Sequence, residues 1–129
     1  MDLSNVNWGL IIGLTLGNMA AGYAWFGARI GKQPFVLPGQ ERSPQHWRAR
    51  DHFNLFFYSL ITPLAFWFLV PLSPVDPMRA TLVLSVVFGL IPIALLGEIY
   101  GKSSLQATLD AFFFLVSFMF SMMFILNAQ

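Results

Sequence analysis

Arg50, Asn54, Phe57 and Tyr58 are spaced i, i+4, i+7 and i+8, so on a helix they form one stripe. A guanidinium, a carboxamide and a phenol on that stripe suit a carboxylate-bearing, amide-rich ligand, with the arginine as a bidentate clamp. Inside an otherwise apolar helix such groups are expensive against lipid, so the stripe is expected to face a protein interior or a neighbouring subunit. A blander reading makes Arg50 and Arg48 interfacial anchors and Asn54 an interhelical hydrogen-bonding residue. Two other groupings carry charge. Glu98 and Lys102 stand in the favourable i, i+4 order for an ion pair at a helix end. His46 and His52, six apart, fall on opposite sides of a helix with no third donor cluster nearby, so no metal site is expected.

The elements that must position these residues follow from composition. Of 129 residues 57% are hydrophobic and 10% are charged, against about a quarter charged in a soluble domain. The bilayer is therefore the expected solvent, and a soluble enzyme is excluded. No cysteine is present, which removes disulfides, thiolate metal sites and cysteine nucleophiles. A net charge of +1 speaks against nucleic acid as a partner.

Asp, Glu, Lys and Arg are absent from residues 3–28, 52–75, 80–97 and 111–129, each stretch close to the roughly 20 residues that cross a membrane. These predict spans over about 7–29, 50–70, 78–100 and 107–127 in a single domain covering 1–129. The expected fold class is all-α, an integral membrane four-helix bundle of up-down topology. The first basic side chain, Arg29, follows the first apolar run, so that run is read as a retained helix and not a signal peptide. Arg29, Lys32, Arg42, Arg48 and Arg50 precede or open the second span and Lys102 follows the third, whereas the other side has Arg79. Loops 29–51 and 100–107 are thus expected to be cytoplasmic, with both termini on the outer side. The connector carries Gly31, Pro34, Pro38 and Gly39, and Ser43-Pro44 offers a start for the second helix. Asn18 is expected to bond across helices near the Gly13/Gly17 pair. Pro63 and Pro92 are expected to kink their helices. The phenylalanine-rich last span is expected to face lipid or a partner. No opposite charges are expected to pair within the spans, which speaks against ion-coupled transport.

With Arg50, His52, Asn54 and Tyr58 opening a second membrane helix after a basic Gly/Pro loop, the chain resembles the MAPEG superfamily, the membrane-associated proteins in eicosanoid and glutathione metabolism. Trp25-Phe26-Gly27-Ala28-Arg29-Ile30-Gly31-Lys32 is similar to that family's first-helix exit, and Ile99-Tyr100-Gly101-Lys102-Ser103 to the end of its third helix. The resemblance implies a homotrimer in membrane lipid, with glutathione as co-substrate between subunits near the cytoplasmic face. It implies glutathione contacts from Arg50, Asn54, Tyr58 and Tyr100, supported by Lys102 and by Arg29 or Lys32. The implied function is a glutathione-dependent transferase or peroxidase acting on a lipophilic electrophile. Two departures stand out. Phe57 occupies the position of the family's acid, and Ser104-Leu105-Gln106-Ala107 stands where some members carry a thiol-activating arginine. No catalytic residue is therefore assigned, and activity is expected to be weakened or lost. The rival expectation is a non-catalytic small transmembrane subunit of a larger membrane complex.

Overall fold

A computed structural model describes residues 3–27, 36–37, 39–40, 42–72 and 76–129, and among these every regular element is helical. The α-helices are α1 (Trp8–Gly27), α2 (Ala49–Leu69), α3 (Pro77–Ser85), α4 (Ile91–Ile99) and α5 (Ser104–Ala128). Three helical stretches, Trp8–Gly27, Ala49–Leu72 and Ser104–Ala128, are long and apolar enough to cross a membrane. The stretch expected as a third span is divided: a π-turn at Val86–Leu90 separates α3 from α4, with right-handed helical backbone at both junctions. Pro92 accounts for the division. It has no N–H to give, and its ring crowds the carbonyl four residues back. Widening the preceding turn relieves that crowding, and the Ile91 N–H reaches five residues back to the Val86 carbonyl.

The helix starts are capped by short polar side chains. Asp76 Oδ1 accepts from the Met78 N–H at 3.1 Å, ahead of α3, and Ser103 Oγ accepts from the Gln106 N–H at 3.2 Å, ahead of α5. For α2 the structure corrects the expected start. Ser43-Pro44 opens only a 3-10 turn, Pro44–His46, and extended backbone at Trp47 and Arg48 separates that turn from Ala49. The Asp51 carboxylate fixes the later start by accepting from the Arg48 N–H at 2.8 Å.

The last span is not the peripheral helix that its phenylalanines suggest. α5 packs against α1, α2, α3 and α4 alike. Its inward stripe is small or polar at most positions (Ala107, Asp110, Ala111, Ser117, Ser121), with Phe113 and Phe114 among them. Phe112, Phe120 and Phe124 point outward. The other helices show the same feature beside an apolar core of Leu14, Phe66, Val70, Met122 and Ile125: Thr15, Asn18, Ser59, Thr62 and Ser85 are buried, while Ile12, Leu16, Phe53, Leu95 and Ile99 are exposed. Small residues let helix backbones approach where lipid supplies no hydrophobic drive between helices. Asn18 fulfils its expected role, donating from Nδ2 to Ser121 Oγ and accepting at Oδ1 from Ser117 Oγ, both at 2.9 Å. Gly13 has no part in that packing, since a Cβ there would meet open space, whereas a Cβ at Gly17 would lie 3.9 Å from the Phe120 ring of α5.

Candidate ligand-binding cleft

The polar stripe of α2 opens onto a cleft of about 450 Å³. Arg50, Asn54 and Tyr58, one helical turn apart from each other, all line it, together with Asp51 and Leu55. Phe26 from α1, Trp47 from the turn before α2, and Phe113 and Phe114 from α5 supply aromatic walls. Phe57 does not share the cleft. It is exposed on the outer side of α2 and stacks on Phe53, with ring centroids 6.0 Å apart.

The three polar groups sit at different depths. Arg50 and Asn54 are exposed, and among the described residues Arg50 makes no hydrogen bond or ion pair. Tyr58 lies deeper, its ring edge-on to Phe114 at 4.7 Å. Its hydroxyl is buried near Ser117 and Thr62 without completing a hydrogen bond among the described residues. Both neighbours donate elsewhere, Ser117 to Asn18 and Thr62 to the Tyr58 carbonyl. A cation at the mouth and a phenol at the floor thus bracket a carboxamide, which is the order an extended anionic peptide would meet.

The mouth is held in shape by a compact set of contacts. Arg42 Nη2 donates to Asp51 Oδ2 at 2.7 Å, and the Trp47 indole N–H donates to the Arg42 carbonyl, also at 2.7 Å. Tyr23 Oη and His52 Nδ1 lie 2.7 Å apart, and Trp47 packs on both rings at centroid separations of 5.4 Å. Among the described residues Asp51 is therefore the acid that lines the ligand space, but it is already committed to Arg42 and to capping α2. His46 bonds to Ser43 Oγ at 2.7 Å. Among the described residues no group of three or more metal-ligating His, Asp or Glu side chains occurs.

The remaining sequence-derived site residues lie elsewhere. Arg29 and Lys32 fall outside the described residues. Tyr100 is an exposed residue at the end of α4 and does not line the cleft. Lys102 is nearly fully buried, and the structure overturns its expected pairing with Glu98. Lys102 Nζ donates to Asp110 Oδ2 at 2.7 Å, with side chains 1% and 3% exposed, and Gln106 Nε2 donates to Asp110 Oδ1 at 3.0 Å. Helical geometry stops at Tyr100, and Gly101 (φ +78°) turns the chain, so Lys102 is aimed at α5 and no longer stacks over Glu98. The pair joins the connector before α5 to the first turns of that helix: Lys102 precedes α5 and Asp110 lies within it. Its signal was in plain view: Gln106 and Asp110 are i, i+4, and Asp110 lies inside the last expected span.

No protein-family model matches this chain, and neither does any curated protein or solved structure.

Proposed function

We propose that this chain is a four-span integral membrane protein of MAPEG type that binds glutathione or a similar anionic thiol peptide in the α2 cleft. The observation that carries this reading is that Arg50, Asn54 and Tyr58 line one aromatic-walled cleft while Arg50 makes no hydrogen bond or salt bridge among the described residues. The volume, about 450 Å³, falls in the range of small-molecule sites. Arg50 would clamp a ligand carboxylate, and Asn54 and Tyr58 would meet its amides and thiol end. Phe26, Trp47, Phe113 and Phe114 would seat a lipophilic second substrate beside it. No residue here is assigned to thiolate formation, which needs a positioned positive charge or donor.

In this reading α3 and α4 act together as the third span, giving an up-down four-helix bundle with both termini outside and the basic loops in the cytoplasm. Support comes from the ends of the elements. Asn5, Asn7, Trp67 and Gln129 border one open depression, far along their helices from Arg50. The protein would be a homotrimer, in which exposed Asn54 and Phe57 meet a neighbouring copy.

The test is purification in mild detergent, followed by mass determination and thermal unfolding with and without glutathione. A self-trimer stabilised by glutathione, by about 2.7 kcal/mol at 100 times Kd, is the expected result. Fixed-ratio co-purification with foreign subunits and no response to glutathione would overturn this reading in favour of a structural subunit.

A further inference from the structure

We propose that the groove between α3 and α5 is a soft-cation site that takes monovalent copper through methionine sulfurs. Met119, Met122 and Met123 are spaced i, i+3 and i+4 on α5, so their side chains emerge on one side of the helix. Met78, from the first turn of α3, faces them. Together with Arg79 and Leu82 these four line a groove of about 170 Å³. Four of the six methionines in the chain therefore border one small space.

Their exposure differs. Met122 is 2% exposed and packs into the hydrophobic core with Leu14, Phe66, Val70 and Ile125, whereas Met78, Met119 and Met123 are between 36% and 50% exposed. Among the described residues every exposed methionine lines this groove; Leu, Ile, Val and Phe make up most of the remaining large exposed apolar surface. A buried methionine needs only a core to explain it. Three accessible ones around a fourth give a set of neutral thioethers, and soft thioethers select monovalent copper over zinc, magnesium or calcium. The groove takes in the first turn of α3, which Asp76 caps by accepting from the Met78 N–H. Arg79 does not oppose the cation alone, because its Nε lies 3.9 Å from the Asp76 carboxylate.

The experiment titrates the full-length protein in detergent with copper(I) buffered by bicinchoninate, with silver(I) as a redox-inert check. One ion per chain is expected, with an affinity that stays level between about pH 5 and pH 8, because thioethers do not titrate where histidine does. Met119→Leu/Met123→Leu and, separately, Met78→Leu should each weaken binding by about tenfold or more. All three positions are at the surface, and unchanged helicity and melting temperature in these variants would show that the fold is intact. Copper X-ray absorption should show sulfur neighbours only. Wild-type affinity in the leucine variants, or nitrogen and oxygen neighbours around the metal, would overturn the proposal.

Discussion

Replacing Lys102 by Met would leave the Asp110 carboxylate in a site where its side chain is 3% exposed, with the 2.7 Å ammonium contact gone. Breaking a buried pair from one side costs about 3–5 kcal/mol, because the surviving charge keeps its desolvation penalty and loses its counter-charge. Gln106 still donates to Asp110 at 3.0 Å, so the lower end applies, about 3 kcal/mol. Asp110→Leu removes the carboxylate 2.7 Å from the buried ammonium and carries a similar cost. Lys102→Met/Asp110→Leu removes both charges and should return stability to within about 1 kcal/mol of the parent, since apolar replacements of buried pairs are often neutral. The assay is reversible unfolding in mixed detergent micelles by added dodecyl sulfate, followed by helicity, for all four proteins of the cycle. Additive single effects would refute the reasoning. So would a Lys102→Met cost below about 0.5 kcal/mol, the worth of an exposed pair.

Four further changes test the packing and the site. Asn18→Ala removes two 2.9 Å bonds to α5 and should lower stability by about 1–2 kcal/mol in the same unfolding assay, near the usual worth of interhelical bonds in membranes. Gly97→Ala would set a Cβ 2.7 Å from the Ala107 Cβ and 3.2 Å from its Cα, forcing α4 from α5 at a cost of about 1–3 kcal/mol. Gly13→Ala, with open space around it, should be neutral or stabilising by up to about 1 kcal/mol. Phe57→Glu should leave ligand affinity of isolated protomers unchanged, because Phe57 faces away from the cleft, and should raise it only where a neighbouring copy completes the site; dilution below the assembly threshold distinguishes the two.

Much of the architecture was legible because charge is so costly in lipid. The gap from residue 3 to residue 28 contains α1, and the gap from 52 to 75 covers most of α2. The i, i+4, i+8 spacing of Arg50, Asn54 and Tyr58 likewise placed them along one cleft. Other features depend on tertiary packing. The inward face of α5 is written in Ala, Ser and Asp among many phenylalanines, and counting aromatics conceals it. Lys102 could be matched with Glu98 only by assuming that the helix continues past Gly101, whose positive φ ends it. The Tyr23 and His52 contact joins residues 29 apart in sequence through Trp47, and no local pattern announces it. The π-turn was foreshadowed by Pro92, although a proline alone does not distinguish a kink from a widened turn.

In the proposed function Arg50 is the anion clamp of a peptide-binding cleft. Equilibrium dialysis of radiolabelled glutathione sulfonate against detergent-purified protein measures this directly, comparing the parent with Arg50→Gln and repeating both with anionic lipid present. Saturable binding that falls by about tenfold or more in the variant, the loss of one charge-assisted contact, and that persists when lipid is added is the predicted result. Equal affinity in the two proteins, or displacement of all bound ligand by anionic lipid, would contradict it.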